Sequence, residues 1–401
     1  MDVQALREDF PVLSSSRYGE GLIYFDNACM TLRPRQVIDK IMEYYQEYPG
    51  CGGRSLHKLA GFVTEGYEQA REKVKEFINA EDVDGIIFTK NTSEAINLVA
   101  KSYPFQRGDK VLGTDHEHNS NLVPWVFLHQ EGRISYVPVP SGEENEFDLE
   151  VFKDMIKGTR LVAMVHVSNL DGTMIPAKDV IEIAHDAGAD VMLDCAQSIP
   201  HMPIDMKDMD LDLLVFSGHK AVGPTGTGIL AGKMDVIEKF SPFLIGGDTV
   251  KETTYEKVEF LSSPKKFEAG LQNYAGFIGL GAALDYLTGV GLTNIHDHEM
   301  ELNRYATDLL KDKVRIMGPE DPSRRGGILP FQVEGLNPHD VSMMLDELAN
   351  IAIRSGRHCV HSWFNSRGEE STARASFYLY NTRDEVKKFA DTLDDIISEF
   401  I

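Results

Sequence analysis

Largely apolar runs alternate with helical segments between residues 62 and 232, and this alternation limits the folds open to the chain more than any other feature. Apolar runs separated by helices are typical of parallel strands that are buried on both faces. Such strands form a largely parallel sheet with helices packed on both sides, which is an α/β fold. Seven strands are predicted, at residues 85–88, 110–113, 134–137, 160–165, 190–193, 213–216 and 228–231.

The pattern changes after about residue 275, which divides the chain into two predicted domains. A chain of 401 residues is long enough to form two hydrophobic cores. We therefore predict a large α/β domain over residues 17–285 and a smaller α+β domain over residues 286–401, completed by residues 1–16. The predicted helices are 62–79, 92–103, 119–130, 149–157, 177–187, 275–288, 292–310 and 383–400.

The charge and the cysteines exclude several classes of function. A formal net charge of −23 argues against binding to nucleic-acid backbones or to anionic lipid surfaces. The start of the chain lacks the basic and apolar segments of a signal peptide, and no apolar run reaches membrane-spanning length. Cys29, Cys51, Cys195 and Cys359 form no CxxC pair, a pattern typical of neither a zinc site nor a disulfide framework. We therefore expect a cytoplasmic protein without a bound metal.

A lysine and an aspartate follow two of the predicted strands. Lys220 ends the motif Ser-Gly-His-Lys after the strand at 213–216, and Asp194 ends the strand at 190–193. The carboxyl ends of parallel strands lie at one edge of the sheet, where such folds bind ligands. A lysine that forms a Schiff base and a carboxylate that holds a pyridinium nitrogen are the working pair of pyridoxal phosphate (PLP) enzymes. The two residues therefore predict a PLP site at this edge.

Segment 91–94, Asn-Thr-Ser-Glu, comes after a predicted strand and begins a helix. A capping box between its asparagine and its glutamate explains these residues without any ligand. The free N–H groups of the helix start and the hydroxyls of Thr92 and Ser93 also suit an anion. Because Ser217 and His219 supply further donors at the same edge, we favour a phosphate site.

Polar side chains also follow the strands that end near residues 113 and 165. Segment 115–121 contains His116 and His118 besides two carboxylates, which suggests a metal site. These histidines point to opposite sides of an extended segment, and no third ligand is nearby. We therefore predict that one imidazole lies on the face of a planar cofactor and that the other is solvated. Asn169 is either a turn residue or a donor to the cofactor's phenolic oxygen or the substrate.

Cys359 is surrounded by Arg354, Arg357 and two histidines. Most cysteines are buried packing residues, but positive neighbours favour the thiolate form that a nucleophile requires. We therefore predict a catalytic thiol at Cys359. Arg374 lies in an apolar strand-like stretch, where an arginine is usually paired, and a bidentate contact with a substrate carboxylate is one such pairing.

These segments together resemble one family over nearly the whole chain. The chain is similar to fold type I PLP-dependent transferases of the class-V aminotransferase family, and among them to group II (SUF-type) cysteine desulfurases and selenocysteine lyases. The segments that carry the resemblance are 24–28 (YFDNA), 92–97 (TSEAIN), 117–121 (EHNSN), 166–169 (HVSN), 194–197 (DCAQ), 217–220 (SGHK), 267–270 (FEAG), 354–359 (RSGRHC) and 374–376 (RAS).

The resemblance implies a homodimeric, PLP-dependent enzyme that converts L-cysteine to L-alanine and forms a persulfide on Cys359. The sulfur then passes to an acceptor or scaffold protein for iron–sulfur cluster or other sulfur-cofactor assembly. A selenocysteine lyase, another β-lyase, an epimerase or a kynureninase-like enzyme would share Lys220 and Asp194 without needing the thiol. A sulfur-assembly scaffold without catalysis is the remaining alternative.

By the same resemblance, Lys220 binds the cofactor covalently and moves protons, and His118 stacks on the ring as a further catalytic residue. Asp194 holds the ring nitrogen, and Gln197 bonds the phenolic oxygen. The remaining implied contacts are those of Thr92, Ser93, Ser217 and His219 with the phosphate, of Asn169 with cofactor and substrate, and of Arg374 and Arg354 with the substrate carboxylate.

The chain departs from the family pattern in three places. Leu271-Gln272 replaces a threonine and a proline, which removes the threonine's contact with the partner subunit's phosphate and predicts weaker PLP binding. Arg357 adds a charge beside the thiol. Cys29-Met30 replaces smaller residues that are common near the active-site mouth. Cys29 and Cys51 lie in segments predicted to approach this mouth, so each is a candidate secondary thiol, although we expect turnover to require only Cys359.

Overall fold

The computed structural model of the chain describes residues 1–19 and 21–401. The helices within this part are α1 to α13, in chain order Val3–Arg7, Arg35–Glu47, Lys58–Phe77, Thr92–Ser102, Asn119–Gln130, Leu149–Met155, Ala177–Asp186, Met234–Ile237, Tyr274–Val290, Leu292–Leu310, Pro338–Ala349, His361–Arg367 and Arg383–Phe400. The strands are β1 to β15, in chain order Ile23–Tyr24, Ile86–Thr89, Asp109–Thr114, Ile134–Val139, Thr159–Val165, Asp190–Asp194, Leu213–Ser217, Gly228–Gly232, Val250–Thr253, Val258–Phe260, Arg315–Ile316, Ile328–Gln332, Ile351–Ala352, Arg354–Gly356 and Thr372–Ser376.

A seven-stranded sheet with the order β2-β8-β7-β6-β5-β3-β4 forms the centre of the fold. Strand β8 pairs antiparallel with β2 and β7, and every other pairing in this sheet is parallel. The seven strands are those predicted from the sequence, each within about two residues of its predicted bounds. The prediction of a mainly parallel, seven-stranded α/β sheet is therefore confirmed.

Both faces of this sheet are buried, which explains why its strands are apolar without alternation. In β5, Val162 and Met164 belong to the core on one face, whereas Leu161 and Ala163 belong to the core on the other. Helix α3 begins at Lys58, four residues before its predicted start, because the His57 side chain caps it by accepting a hydrogen bond from Ala60 N at 3.1 Å.

A second sheet, of order β11-β12-β15-β14, has its own core. Ile23 and Phe25 from the start of the chain lie in this second core, and β1 pairs with β13. Phe10, by contrast, lies in the core of the central sheet. Residues before position 30 thus contribute to both cores, and the domain boundaries stated above stay a prediction.

Helices α9 and α10 connect the two cores. Ile278 and Leu284 of α9 pack beside the central sheet, whereas Leu302 and Leu310 of α10 pack in the second core. Within the described residues no single helix is both long and apolar enough to cross a membrane. Helices α9 and α10 meet that test only when counted together, across a bend of 72°.

A buried ion pair joins α3 to the loop before α9. Arg71 is 2% exposed, and it donates to both carboxylate oxygens of Glu268, from Nη1 at 2.7 Å and from Nη2 at 2.9 Å. Glu268 also accepts hydrogen bonds from Phe88 N at 2.8 Å and from the Tyr67 hydroxyl at 3.1 Å. The glutamate of segment 267–270 therefore holds α3, β2 and this loop together.

Replacing Glu268 with glutamine is expected to lower the free energy of unfolding by about 3 kcal/mol, because it leaves the buried Arg71 with only the half-exposed Glu68 as a charged partner. Urea unfolding measures the loss. The control is Asp391→Asn, which breaks the exposed pair with Lys387 on α13 and should cost less than about 1 kcal/mol. Equal effects of the two substitutions would contradict this account of the buried pair.

Candidate active site

One cavity of about 190 Å³ opens at the carboxyl ends of β5, β6 and β7. It contains every residue that was predicted from the sequence to act in catalysis or binding, although these residues come from seven separate stretches of the chain. The predicted residues that line it are Thr92, Ser93, His118, Asn169, Asp194, Gln197, Ser217, His219, Lys220, Arg354, Cys359 and Arg374. Their individual roles stay predictions at this point.

Lys220 and Asp194 lie at the base of the cavity. Asp194 is the last residue of β6, and Lys220 ends a 3₁₀ turn that follows β7 directly. Burial lowers the pKa of Lys220, and the nearby Asp194 partly offsets this. Burial raises the pKa of Asp194, and the Lys220 charge opposes that change. A lysine with a lowered pKa is more easily deprotonated, and a neutral amine is the form that attacks a carbonyl carbon.

The start of α4 meets the end of β7 at one end of the cavity. Thr92 N donates to Ser217 Oγ at 2.8 Å, and the two hydroxyl oxygens are 2.7 Å apart. Asn91 Oδ1 accepts from Glu94 N, as predicted, but Glu94 accepts from Lys90 N and not from Asn91 N. The predicted capping box is therefore half formed, and the helix start presents hydroxyl groups to the cavity.

His118 is the N-cap of α5, and its Nδ1 accepts a hydrogen bond from Ser120 N at 3.0 Å. Burial, reinforced by the charge of Lys220, lowers the pKa of His118 to about 3, so the ring is neutral and its proton is on Nε2. The prediction that the neighbouring histidine is solvated was wrong. His116 is 5% exposed, and its Nε2 lies 2.9 Å from Ser141 Oγ. Ser141 belongs to the loop after β4, and segment 115–118 packs against this loop.

Glu117 lies beneath His118 and fixes the segment that carries it. Its Oε1 accepts hydrogen bonds from Thr114 N and Val165 N, each at 3.0 Å, and its Oε2 accepts from Asn121 Nδ2 at 2.7 Å. The carboxyl group is 1% exposed, and burial raises its pKa from 4.5 to about 7. These contacts join β3, β5 and α5 directly below the site.

The raised pKa predicts a pH dependence of stability. The folded state holds the Glu117 proton more tightly than the unfolded state, so this group stabilises the fold below pH 4.5 and loses that contribution as the pH rises to about 7. Relative to Glu117→Gln, the wild type should therefore lose on the order of 2–3 kcal/mol between pH 4.5 and 8. Urea unfolding across this range measures the difference, and parallel pH curves for the two proteins would refute it.

Two arginines lie opposite each other on neighbouring strands of the second sheet. Arg354 of β14 and Arg374 of β15 are direct cross-strand partners, an arrangement that is unfavourable for like charges unless an anion lies nearby. Arg374 donates from Nη1 to the Asn169 carbonyl at 2.6 Å and contacts Asp26 Oδ1 at 3.5 Å. Burial raises the pKa of Asp26, and Arg374 opposes that change. Arg354 opposes it as well, so the single carboxylate of Asp26 lies between two cations and cannot neutralise both.

Cys359 lies at the tip of a tight turn. His358 and Cys359 have φ values of +47° and +61°, and Val360 N donates to the Arg357 carbonyl at 2.8 Å, which defines a type I′ turn. Residues other than glycine or asparagine are strained at these positions. The turn is held by Asn169 Nδ2, which donates to the His358 carbonyl at 2.7 Å, and Asn119 N donates to the Cys359 carbonyl at 2.7 Å.

Arg357 does not direct its charge at the thiol as its position in the sequence suggested. Its Nε donates to the Glu370 carbonyl and its Nη1 donates to Asn365 Oδ1, each at 3.0 Å. The cations of the cavity are instead Lys220, Arg354 and Arg374.

The other three cysteines occupy different surroundings. Cys195 is fully buried, and burial raises the pKa of its thiol to about 12, so it is a packing residue as predicted. The Cys51 thiol contacts the Gly52 carbonyl at 3.7 Å, outside the cavity lining. Cys29 lines the cavity, and Arg354 Nη1 lies 2.8 Å from its sulfur. Of the two predicted secondary thiols, Cys29 is therefore the one in the site.

The cavity also contains polar atoms that no described residue pairs with. They are the buried Asn169 Oδ1, Gln197 Oε1, Arg374 Nε and His358 Nδ1. The amide nitrogens of Asn169 and Gln197 donate to the His358 and Ala28 carbonyls, so their free atoms are acceptors, whereas a donor was predicted at Asn169. Unpaired buried polar atoms require a partner. With a lysine, a carboxylate, an imidazole and hydroxyl groups beside them, these atoms fit PLP and an amino-acid substrate.

Comparison with known proteins agrees with this site. The model of the class-V aminotransferase family matches residues 23–389. A probable cysteine desulfurase of Synechocystis is 41% identical over 405 residues, covering 98% of this chain and 96% of that protein. A cysteine desulfurase of Haloferax volcanii is 38% identical over 415 residues, with coverage of 98% and 96%.

Solved structures give the same result. The apo structure of a cysteine desulfurase from Thermococcus onnurineus has a TM-score of 0.94 at 37% identity, covering 99% of this chain and 98% of that one. The cysteine desulfurase CsdA of Escherichia coli has a TM-score of 0.92 at 33% identity, with full coverage of both chains. The chain therefore belongs to the class-V aminotransferase family of PLP-dependent enzymes, and within it to the cysteine desulfurases. The resemblance stated from the sequence is confirmed.

Proposed function

We propose that this chain is a PLP-dependent L-cysteine desulfurase that forms L-alanine and a persulfide on Cys359. One observation carries the proposal. A single cavity contains a lysine–aspartate pair at its base, two arginines that face each other, and a half-buried thiol held at the tip of a strained turn. These are the groups required to hold PLP, to bind a carboxylate and to take up a sulfur atom.

The residues that would hold PLP are distributed over the cavity wall. Thr92, Ser93, Ser217 and His219 at the start of α4 and the end of β7 would bind the phosphate, Asp194 the ring nitrogen, Gln197 the phenolic oxygen and His118 the ring face. When bound, PLP supplies a sink for the electron pair that is released when the substrate loses its Cα proton. Lys220 would hold the cofactor covalently at rest, and its amine would be the group available to take that proton.

The substrate carboxylate would be held between Arg354 and Arg374. Arg374 is almost fully buried, and its unpaired Nε is a donor that a carboxylate could accept from. A carboxylate at this position would offset the like charges of the cross-strand pair. It would also direct the substrate side chain toward the turn that carries Cys359.

Cys359 is proposed as the nucleophile toward the substrate sulfur. A sulfur–sulfur bond forms between Cys359 Sγ and the substrate sulfur, and the bond between that sulfur and Cβ breaks. The electron pair of the broken carbon–sulfur bond stays on Cβ. Cβ then takes up a proton, and the product leaves as alanine. No external oxidant or reductant is consumed, because the sulfur atom moves from the substrate to the protein.

The test is to incubate the purified protein with PLP and L-cysteine and to measure alanine, sulfide and protein-bound persulfide. We expect alanine formation that is accompanied by one or more sulfur atoms on the protein when no acceptor is added. Alanine release without any protein-bound sulfur would favour a β-lyase that needs no thiol. An absence of PLP binding at saturating cofactor would refute the proposal.

We further propose that the working unit is a homodimer that passes sulfur to an acceptor protein for iron–sulfur cluster or other sulfur-cofactor assembly. Large apolar side chains are exposed in the segments expected at the subunit boundary, including Leu271 at 70% and Ile245 at 68% exposure. Sedimentation should give a dimer.

Because Leu271 cannot donate a hydrogen bond to a phosphate, Leu271→Thr should tighten PLP binding by about one to two decades. A monomer, or an unchanged dissociation constant, would contradict this boundary.

A further inference from the structure

We propose that Cys29 is a second sulfur carrier of the active site and that it receives the outer sulfur of the Cys359 persulfide. The inference rests on the proposed function, since Cys359 must first acquire the sulfur. Cys29 and Cys359 come from opposite ends of the chain, yet both line the same cavity of about 190 Å³.

The backbone around Cys29 is fixed against both sheets. Ala28 N donates to Ser376 Oγ at 2.9 Å, and the Ala28 carbonyl accepts from Gln197 Nε2 at 2.7 Å. Cys29 N itself donates to the Asp26 carbonyl at 3.1 Å. The half-buried Cys29 side chain therefore has a defined position on the cavity wall.

Cations lie close to the Cys29 sulfur. Arg354 Nη1 lies 2.8 Å from Cys29 Sγ, and Lys220 and Arg374 line the same cavity. The Arg354 guanidinium is therefore positioned to interact with a sulfur atom that carries negative charge during sulfur exchange. Arg374, which is 1% exposed, also has an unpaired Nε on this cavity, so the space beside Cys29 is built to receive a polar ligand.

The transfer balances without a further reactant. The Cys29 thiolate attacks the outer sulfur of the Cys359 persulfide, and a bond forms between Cys29 Sγ and that sulfur. The bond between the outer sulfur and Cys359 Sγ breaks, and its electron pair stays on Cys359 as a thiolate. Cys359 is then free to take a sulfur atom from a second L-cysteine, so one site stores two sulfur atoms on two residues.

The experiment uses the PLP-loaded, full-length enzyme with excess L-cysteine and without acceptor or added thiol. Rapid quenching measures the initial burst of alanine per active site, and alkylation followed by peptide mass spectrometry locates the bound sulfur. The wild type should give a burst of two alanines per site, with one sulfur atom on the peptide containing Cys29 and one on the peptide containing Cys359.

Cys29→Ser should reduce the burst from two to one, because serine leaves an oxygen for Arg354 to contact but cannot carry sulfur. The matched control Cys51→Ser removes a half-buried cysteine outside the cavity and should leave the burst at two. A wild-type burst of one, or two sulfur atoms on the Cys359 peptide alone, overturns the role of Cys29 while the desulfurase activity stands. A wild type that forms no alanine overturns the proposed function itself. The wild-type peptide map decides the question even if the serine variant fails to fold.

Discussion

Replacing Lys220 with alanine is expected to abolish turnover of L-cysteine, by a factor of at least about 10³, and to remove the absorbance of the lysine-bound cofactor. Lys220 is the residue at the base of the cavity whose amine lies near Asp194 and whose pKa burial lowers. In the proposed mechanism, the substitution removes both the residue that would bind PLP covalently and the amine that would take the Cα proton. The measurements are the visible spectrum of the PLP-treated protein and alanine formation.

The fold should tolerate the loss of Lys220. Removal of the amine leaves the buried Asp194 without its cation, but burial already raises the pKa of Asp194, so this carboxyl group can take up a proton and become neutral. Lys388→Ala on the exposed face of α13 is the control and should keep both spectrum and activity. Substantial alanine formation by Lys220→Ala would show that another group carries the proton.

Much of the site could be predicted from the sequence because its residues follow strands that are apolar over their whole length. A parallel sheet collects the carboxyl ends of such strands at one edge, so Asp194 and Lys220 had to lie near each other once β6 and β7 were identified. The hydroxyls of Thr92 and Ser217 came together for the same reason.

Contacts between distant segments could not be predicted. Cys29 and Arg354 are separated by 325 positions, and Asn169 and His358 by 189. Such pairs depend on how the second sheet packs against the first, and no local pattern records that packing. The prediction of a solvated histidine was wrong for a related reason. The burial of His116 depends on the loop after β4, which provides Ser141.

Glu117 is another residue whose role could not be predicted from the sequence. In the sequence, Glu117 is only one of two carboxylates in a candidate metal-binding segment, whereas its carboxyl group is buried and joins three elements. The one local signal is its spacing of four residues from Asn121, whose amide nitrogen donates a hydrogen bond to it from the first turn of α5. A buried glutamate that accepts only neutral donors is recognisable once the fold is known, because only then is it clear that Thr114 and Val165 end adjacent strands.

Replacing Cys359 with serine is expected to reduce alanine and persulfide formation by a factor on the order of 10³ or more, while PLP binding and its absorbance stay unchanged. Serine fits the same turn, since the φ of +61° and the hydrogen bond from Asn119 N to the carbonyl of residue 359 involve only the backbone. The serine hydroxyl group cannot replace the thiolate that is proposed to attack the substrate sulfur.

The proposed second carrier does not rescue this variant, because Cys29 takes sulfur from the Cys359 persulfide and not from the substrate. Cys51→Ser, which alters a cysteine outside the cavity, serves as the control and should keep full activity. Full alanine release by Cys359→Ser would identify a lyase that cleaves the bond between carbon and sulfur without a thiol. Persulfide on Cys29 in that variant would instead identify Cys29, whose sulfur Arg354 contacts, as the nucleophile toward the substrate.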